Sequence, residues 1–358
     1  MKTNYSILLS SALIAMSVLT SCGGGNNPPV VSDADMDSGV VLIEAAGYYA
    51  LDFGKVVKEF GFAVYVDNPE ADEPDFVITD NRDSIPIRGW SGTGFFISED
   101  GFVATNAHVT GEPLASQVAN IQQHWKVFVN ALLASLEEDR IDLETAKTDA
   151  HINAYGSSTR SQLRAAINEH ASIDEQLKEI AYTKSLLQST LNVEPNLTFV
   201  PLFIGYVLNG NRFSGTSDLT NLSTVVADIE HDVAILQANN KKTPEDCYVF
   251  DVPDEDSTVE IFKGDAVYSI GFNYGEQLAE TAHGIENQRN DGRIQKIDDD
   301  DLMYSIPILP GSSGSPVMDE EGNLIAINRA GYRFSGNYNI GAKVKYLRVL
   351  MDKAESMR

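Results

Sequence analysis

Short apolar runs separated by turn residues dominate two regions of the sequence, residues 39–111 and 197–350. Runs such as "GFAVYVD", "STVVADIEHDVAIL" and "GDAVYSIGF" alternate with glycine, asparagine and aspartate. Regularly spaced runs of this kind are typical of β-barrels and β-sandwiches. Both regions are therefore predicted to be mainly β. The final stretch, "KVKYLRVLMDKAESMR", has helical periodicity instead and predicts a closing helix.

The middle of the chain, residues 113–196, follows a different pattern. Glycine is nearly absent, and apolar residues recur at intervals of three and four, as in amphipathic helices. The two apolar rows are Val118, Ile121, Trp125, Phe128, Leu132 and Leu136, then Ile173, Leu177, Ile180, Leu187 and Leu191. "GSST" breaks the segment, and "DLETAKTDAHINAY" predicts a shorter helix before it. We expect a helical hairpin or small helical subdomain inserted into a loop of the β fold. Its apolar rows either pack against each other or, where exposed, contact a partner or a second copy.

The first residues have the pattern of an export signal. Lys2 precedes an apolar run over residues 7–19 that is too short to span a bilayer comfortably. The run ends in "LTSC", which resembles the lipobox of bacterial lipoproteins. This resemblance implies cleavage before Cys22 and lipid attachment to it, with an ordinary signal peptide as the alternative. By resemblance to Gram-negative sorting rules, Gly23 after the cysteine, rather than Asp, implies the outer and not the inner membrane. The following Gly-, Asn- and Pro-rich residues predict a flexible tether.

Composition excludes one class of partner. The net charge of −26 opposes binding to nucleic-acid phosphate, so we expect no nucleic-acid partner. The densest acidic run, Asp298 to Asp301, lacks EF-hand spacing and is interpreted as a solvated loop rather than a cation site. No residues have zinc-ligand spacing, and we expect neither a metal nor another cofactor. The second cysteine, Cys247, is interpreted as a small residue near a turn.

Three motifs far apart in the sequence carry residues that could form one catalytic site. His108 ends a strand in "GTGFFISEDGFVATNAHV", Asp232 precedes an apolar run in "EHDVAILQ", and Ser313 lies in "PGSSGSPV". In this order, the motifs resemble those of the chymotrypsin-fold serine proteases. The resemblance is closest to the bacterial trypsin-like group that contains the high-temperature-requirement proteases and the glutamyl endopeptidases. "GDAVYSIGF" and "TAHGI" add further matches, and the resemblance covers residues 89–111 and about 197–350.

The resemblance implies a mainly β fold. Two six-stranded β-barrels of the chymotrypsin type are expected, with the α-helical insertion between the His and Asp motifs. The whole chain is then expected to divide into six segments. They are a lipoprotein signal peptide (1–21), a flexible tether (22–38), the N-terminal part of the first barrel (39–112), the helical insertion (113–196), the remainder of the first barrel (197–240), and the second barrel with the C-terminal helix (241–358).

By the same resemblance, each motif residue has a role. Ser313 would be the nucleophile because it immediately precedes Gly314, His108 the base that takes its proton, and Asp232 the carboxylate that orients the imidazole. The backbone N–H groups of Gly311 and Ser313 would form the oxyanion hole. Four further histidines, His231, His124, His151 and His170, are expected to be structural or at the surface. His283, in the predicted "TAHGI" strand, is a minor candidate for the cleft.

The sequence gives some information about the pocket that would bind the side chain of the residue before the cleaved bond. Pro307 lies six positions before Ser313, where trypsin has its aspartate, so a preference for Arg or Lys is not expected. Asn328 stands where glutamyl endopeptidases carry a histidine, which weakens an acidic preference. Arg329 would restore that preference if it pointed into the pocket. The favoured prediction is a small or medium apolar residue.

These observations predict a serine endopeptidase, lipid-anchored at the cell envelope, that hydrolyses protein or peptide substrates through a Ser-His-Asp triad. The alternative is a catalytically silent protease-fold protein that uses the helical insertion as a binding or assembly surface. An esterase with the same triad is a third possibility. The insertion itself could be a lid over the cleft, a platform for substrate, or a site of self-association.

Overall fold

The computed structural model describes residues 33–58, 61–254, 260–331 and 339–357. The predicted signal peptide and Cys22 lie outside these residues. The last part of the predicted tether lies inside them, as helix α1 (Asp33–Ser38). Met36 of this helix is buried in a core that it shares with Tyr268 and Leu324. The predicted tether, 22–38, therefore overlaps the folded protein at its C-terminal end.

The first half of the structure is a β-barrel. Its strands are β1 (Val40–Asp52), β2 (Ala63–Val66), β3 (Phe76–Thr79), β4 (Arg88–Phe96), β5 (Phe102–Thr105), β6 (Asn196–Leu208), β7 (Thr220–Asp228) and β8 (Val233–Ala238). All neighbouring pairs are antiparallel, in the order β1-β4-β5-β8-β7-β6. Because β6 pairs back onto β1, six strands close into a ring, and β2 and β3 extend it from β1.

The second half forms another closed six-stranded barrel. Its ring runs β12-β13-β16-β15-β14-β9. The strands are β9 (Ala266–Gly271), β10 (Glu280–Thr281), β11 (Gly284–Ile285), β12 (Gln288–Ile297), β13 (Asp301–Tyr304), β14 (Pro316–Asp319), β15 (Leu324–Gly331) and β16 (Asn339–Lys343). The short β10 and β11 form a separate hairpin. The prediction of a mainly β, chymotrypsin-type fold with two six-stranded barrels is confirmed.

Several strands are buried on both faces, which explains their continuous apolar runs. In β1, Val41 and Ile43 belong to the core of the first barrel, whereas Val40 and Leu42 pack into the core between the barrels. That shared core includes Ile270 and other residues of the second barrel. A strand with both faces buried shows no polar alternation in its sequence. The shared core fixes the two barrels against each other, which is what positions residues from both at one site.

The helical insertion is a hairpin of two long helices between β5 and β6. These are α3 (Ala115–Tyr155) and α4 (Arg160–Thr190), and the shorter helices elsewhere are α2 (Lys55–Lys58) and α5 (Glu276–Ala279). Thr159 begins α4 by accepting a hydrogen bond from the backbone N–H of Gln162 at 3.2 Å. The insertion between the His and Asp motifs is confirmed. The expected separate short helix is wrong, because α3 continues through it.

Aromatic packing attaches the hairpin to the first barrel. Trp125 is buried against Phe53 and Phe76, with ring centroids 5.0 and 5.2 Å away. Its indole N–H donates to Thr190 Oγ1 at 3.3 Å and so joins α3 to α4. The base of the hairpin is therefore part of a core rather than an independent unit. Among the described residues, no helix is both long enough and apolar enough to cross a membrane.

The predicted closing helix is confirmed as α6 (Val344–Ser356). Leu347 and Leu350 are buried in the core between the barrels. The helix packs on β7, β8, β15 and β16, so it contacts both barrels. It therefore stabilises their relative position.

Candidate active site

His108 lies just beyond the buried strand β5. The strand ends at Thr105, and residues His108–Thr110 form one turn of 3-10 helix that Gly111 ends with a φ of 88°. Thr105 Oγ1 donates to the carbonyl of Thr93 at 2.7 Å, which fixes the end of β5 against β4. The side chain of His108 is thus presented by a rigid strand end, with 21% of its surface exposed.

Asp232 lies in the turn between β7 and β8, and the structure brings it to His108 although the two are 124 positions apart. Its Oδ2 is 2.8 Å from His108 Nδ1, and its Oδ1 accepts from the backbone N–H of His108 at 3.0 Å. The side-chain amide of Asn106 donates to the carbonyl of Asp232 at 2.8 Å. Asp232 is 5% exposed and has a φ of 57°. Because both carboxylate oxygens of Asp232 contact His108, the His108 ring has little freedom to reorient.

The environment raises the pKa of His108 above its ordinary value of 6.5. Burial disfavours the charged imidazolium and lowers the pKa, but the charge and the hydrogen bond of Asp232 outweigh it, and the Glu70 carboxylate adds to them. The imidazolium is therefore the favoured form until the pH exceeds this raised value. Asp232 thus stabilises the imidazolium, which is the form that a histidine takes once it has accepted a proton as a general base.

Ser313 lies in the loop before β14 and is anchored to the first barrel. Its carbonyl accepts from the N–H of Thr93 at 2.8 Å, and the next residue, Gly314, donates to the carbonyl of Asn328 at 2.8 Å. Gly314 has a φ of 88°, and a side chain there would clash with Thr93 and Thr105. Ser313 is thereby placed beside β4 and β5, the strands that carry the His108 motif. Its Oγ has no hydrogen bond to any described residue.

Accessibility separates the three serines of the motif. Ser312 is 4% exposed and its hydroxyl donates to the carbonyl of Leu309 at 2.7 Å. Ser315 is 1% exposed and its Oγ has no hydrogen-bond partner. Ser313 is half-buried. Of the three hydroxyls, the one at Ser313 is thus the one available to a substrate.

Two backbone N–H groups near Gly311 have no acceptor among the described residues. Gly311 has a φ of 92°, and a side chain there would clash with Phe272 and Gly275. The carbonyl of Pro310 accepts from the N–H of Tyr274, so it is held by the neighbouring loop. Neither the N–H of Gly311 nor that of Ser313 donates to a described residue. Unpaired N–H groups two positions apart can bind an oxyanion.

Thr93 is a structural residue of the site that sequence reasoning missed. It is fully buried in β4. Its Oγ1 donates to the carbonyl of Gly311 at 2.9 Å and accepts from the N–H of Phe272 at 3.0 Å. With the bond from its own N–H to Ser313, it ties the glycine-rich loop of the second barrel to the first. A lone polar residue within the apolar run "GTGFF" was the signal available in the sequence.

The neighbouring candidates have other environments. The His231 ring lies 2.8 Å from Asp228 Oδ2 and stacks on Tyr346, which agrees with the expected structural role. His283 is exposed in the turn between β10 and β11, so its predicted place in a strand is wrong. Burial raises the pKa of Cys247 to about 11, which keeps its thiol protonated at neutral pH.

The remaining histidines lie on the hairpin. His124 Nδ1 is 3.0 Å from the carbonyl of Asn120, and His170 Nδ1 is 3.3 Å from Asp174 Oδ2. The rings of His151 and Tyr155 form an edge contact at 5.0 Å. These three histidines are therefore occupied with neighbours on the helices.

The residues assigned to the primary pocket are only partly available to a substrate. Asn328 is buried, donates to the carbonyl of Ser312 at 2.9 Å and accepts from Tyr304 Oη at 2.7 Å. It therefore supports the nucleophile loop. Arg329 is paired with Asp301 at 2.7 Å, so its charge is already balanced by a carboxylate of the protein. Residues 332–338, which follow in the sequence, lie outside the described residues.

Two cavities lined by described residues flank His108. The larger, about 520 Å³, is also lined by Asp232, Arg329 and, from α3, Gln117 and Asn120. The smaller, about 290 Å³, lies against the start of β4. Both include Glu70. The side chain of Asn120 donates to the carbonyl of Ala71 at 3.0 Å, so the helical insertion is joined to the loop that borders both cavities.

Known proteins resemble this chain in sequence and in fold. The family model described as "Trypsin-like peptidase domain" matches residues 206–327, a range that includes Asp232 and Ser313. No curated protein matches the sequence. Two matching solved structures are of the HtrA-type protease AlgW, one with a decapeptide and one with a tripeptide. Each is 15% identical over 91% of this chain, with TM-scores of 0.46 and 0.42.

This chain covers 66% and 63% of those two structures, slightly less than two thirds of each. The family match covers only part of this chain. Together with the two barrels and the His108–Asp232 pair, it supports a serine protease of the trypsin-like class.

Proposed function

We propose that this protein is a serine endopeptidase that uses Ser313, His108 and Asp232 as its catalytic residues. The observation that carries the proposal is the 2.8 Å contact between His108 Nδ1 and the buried carboxylate of Asp232. A carboxylate at Nδ1 places the proton of the neutral imidazole there and leaves Nε2 as the acceptor. His108 then has the tautomer that a general base for a serine hydroxyl requires.

The reaction proceeds in two halves. Ser313 Oγ attacks the peptide carbonyl while His108 takes its proton, and the imidazolium then protonates the leaving amine, which leaves an acyl-enzyme on Ser313. Water, deprotonated by His108, releases the acid product. Asp232 stabilises the imidazolium in both halves without taking its proton. The raised pKa of His108 reflects this stabilisation.

The free N–H groups of Gly311 and Ser313 bind the oxyanion in each half. A donor of this kind typically contributes about 3 kcal/mol to transition-state binding, or two decades in rate. The conformation of Gly311, and its close contact with Phe272 and Gly275, explain why a residue without a side chain stands there.

The substrate class follows from the same site. We propose peptide or protein substrates with a small or medium apolar residue before the cleaved bond, because Arg329 is paired with Asp301 and Pro307 replaces an acidic pocket residue. We also propose that Cys22 carries a lipid anchor that holds the enzyme at the outer membrane of a Gram-negative-type cell. No metal or other cofactor has a role in this chemistry.

Cleavage of a peptide library by the full-length protein tests the proposal. We expect cleavage after small or medium apolar residues by wild type and none by Ser313→Ala. Cleavage that persists in Ser313→Ala would contradict the assignment of the nucleophile. A folded wild type that cleaves nothing would favour the alternative, a silent binding or assembly protein.

The role of the insertion is tested by shortening the hairpin. Residues 141–180 would be replaced by a short Gly-Ser turn, which keeps the buried Trp125 and the Glu137–Lys184 ion pair. If the distal hairpin is a lid, cleavage rises in the shortened protein. If it is a platform, cleavage falls for long substrates but not for short peptides. If it is a site of self-association, the shortened protein sediments as an assembly of fewer copies than wild type.

A further inference from the structure

The turn that carries Asp232 is held from within the first barrel by Asn106 and the N–H of His108, and also from outside that barrel. The hydrogen bonds within the turn are made at its beginning, where Asp228 Oδ1 accepts from the N–H groups of Glu230 and His231 at 3.0 and 3.1 Å. Asp232 itself has a φ of 57°, a strained conformation for a non-glycine residue that persists where surrounding contacts enforce it. The contacts that enforce it determine where the Asp232 carboxylate lies.

Arg329 of β15 provides one such contact across the barrel interface. Its Nη1 donates to the carbonyl of His231, directly before Asp232, at 3.3 Å. Its Nη2 donates to Asp301 Oδ2 of β13 at 2.7 Å. About a fifth of each side chain is exposed, 21% for Arg329 and 24% for Asp301. The planar guanidinium thus spans from a fixed carboxylate to the backbone of the aspartate turn.

A second contact comes from α6. The ring of His231 stacks on that of Tyr346, with centroids 3.5 Å apart and an angle of 13° between the planes. The hydroxyl of Tyr346 hydrogen-bonds to Asp300, and Lys345 donates to the carbonyl of Asp299 at 2.7 Å. The acidic run, expected to be a solvated loop, therefore supports both contacts with the turn.

We propose that Arg329, held by Asp301, is a positioning residue for the catalytic Asp232. The inference rests on the proposed function for the role of Asp232, but the geometry it describes is independent of turnover. Arg329 fixes the peptide before Asp232, and so keeps both carboxylate oxygens on His108. Without it, the turn relaxes and the contact between Asp232 and His108 is weakened.

The state of His108 reports this positioning directly. In the full-length protein labelled with ¹⁵N-histidine, NMR titration gives the pKa of His108, and the bridging Nδ1 proton gives a separate signal. Asp232 and Glu70 are the charged groups that raise this pKa. We expect Arg329→Met to lower the pKa toward 6.5 and to weaken the bridging signal, because the contribution of Asp232 is reduced. Arg329→Lys should lie between, since a single ammonium cannot span both partners.

Labelling of Ser313 by a fluorophosphonate is the kinetic test. A small displacement of a catalytic group costs about 10²-fold in rate, and we expect a loss of that order in Arg329→Met. The matched control is Arg140→Met, which removes an arginine paired with Glu137 and Glu144 on the hairpin. It should leave the pKa, the proton signal and the labelling rate unchanged.

The outcomes separate this inference from the proposed function. A folded Arg329→Met with the wild-type pKa and bridging signal would overturn the positioning role, whether or not the protein is active. A lowered pKa in a protein whose wild type is never labelled would support the positioning role and contradict the proposed function. If Arg329→Met does not fold, Arg329→Lys and Asp301→Asn decide: wild-type values in both would overturn the inference.

Discussion

Thr93 offers the sharpest test of how the two barrels assemble the site. Replacing it with valine keeps the shape of the side chain and removes the hydroxyl. Two hydrogen bonds are lost, from Oγ1 to the carbonyl of Gly311 and from the N–H of Phe272 to Oγ1. Because Thr93 and Phe272 are fully buried, water cannot replace the missing partner.

The magnitude follows from those two bonds. Each contributes about 1 kcal/mol net, and the buried N–H of Phe272 left without an acceptor costs about 1–3 kcal/mol. We therefore expect Thr93→Val to lower the free energy of unfolding by about 2–4 kcal/mol. The carbonyl of Gly311 also loses its anchor, so the oxyanion loop should loosen and labelling of Ser313 should slow by about 10²-fold.

Urea unfolding followed by fluorescence measures the stability, with Thr93→Ser as the matched control. Serine keeps the hydroxyl and loses one methyl group, which costs about 1 kcal/mol. We expect Thr93→Ser to be the more stable and the more active of the two variants. A Thr93→Val protein whose free energy of unfolding lies within about 0.5 kcal/mol of wild type, the range of an ordinary surface substitution, would show that the two hydrogen bonds of Thr93 do not hold the barrels together.

Three further predictions concern the surroundings of the site. Because Glu70 raises the pKa of His108, Glu70→Gln should lower that pKa and move the rising limb of kcat/KM to lower pH. The control Glu73→Gln, on the same loop, should leave the profile unchanged. Equal pH profiles for the two variants would exclude an effect of Glu70 on His108. Gly264 has a φ of 100° and open space around it, so Gly264→Ala should cost only the roughly 1–3 kcal/mol of backbone strain. Gly314→Ala should destabilise the fold by more, because its new side chain would also clash with Thr93. Equal losses of Tm in the two variants would show that the contact with Thr93 is unimportant. Trp125→Ala should lower the free energy of unfolding by about 3–5 kcal/mol, and a much smaller loss would mean that the hairpin base is not part of the core.

The pairing of His108 with Asp232 was predicted because two short local motifs resemble those of the chymotrypsin-fold serine proteases. One residue follows the end of an apolar strand and the other precedes the start of one, and β5 and β8 are neighbours in the barrel. The alternation of short apolar runs likewise predicted the barrels, and intervals of three and four predicted the hairpin. Each of these features depends on residues close together in sequence.

The contacts between the barrels could not be predicted in this way. Thr93 and Gly311 are 218 positions apart, and nothing in either local pattern specifies the other. Arg329 is a second example. Strand alternation alone did not give its direction, because β15 has an irregular register between Asn328 and Ala330. Its partner Asp301 lay in a run whose charge suggested solvent exposure.

The most direct test of the central claim is the mass of the full-length protein after treatment with a fluorophosphonate. We expect one adduct on wild type and one on Ser315→Ala, whose lost hydroxyl has no hydrogen-bond partner. None is expected on Ser313→Ala. An adduct on Ser313→Ala, or a folded wild type that is never labelled, would contradict the claim that Ser313 is an activated nucleophile.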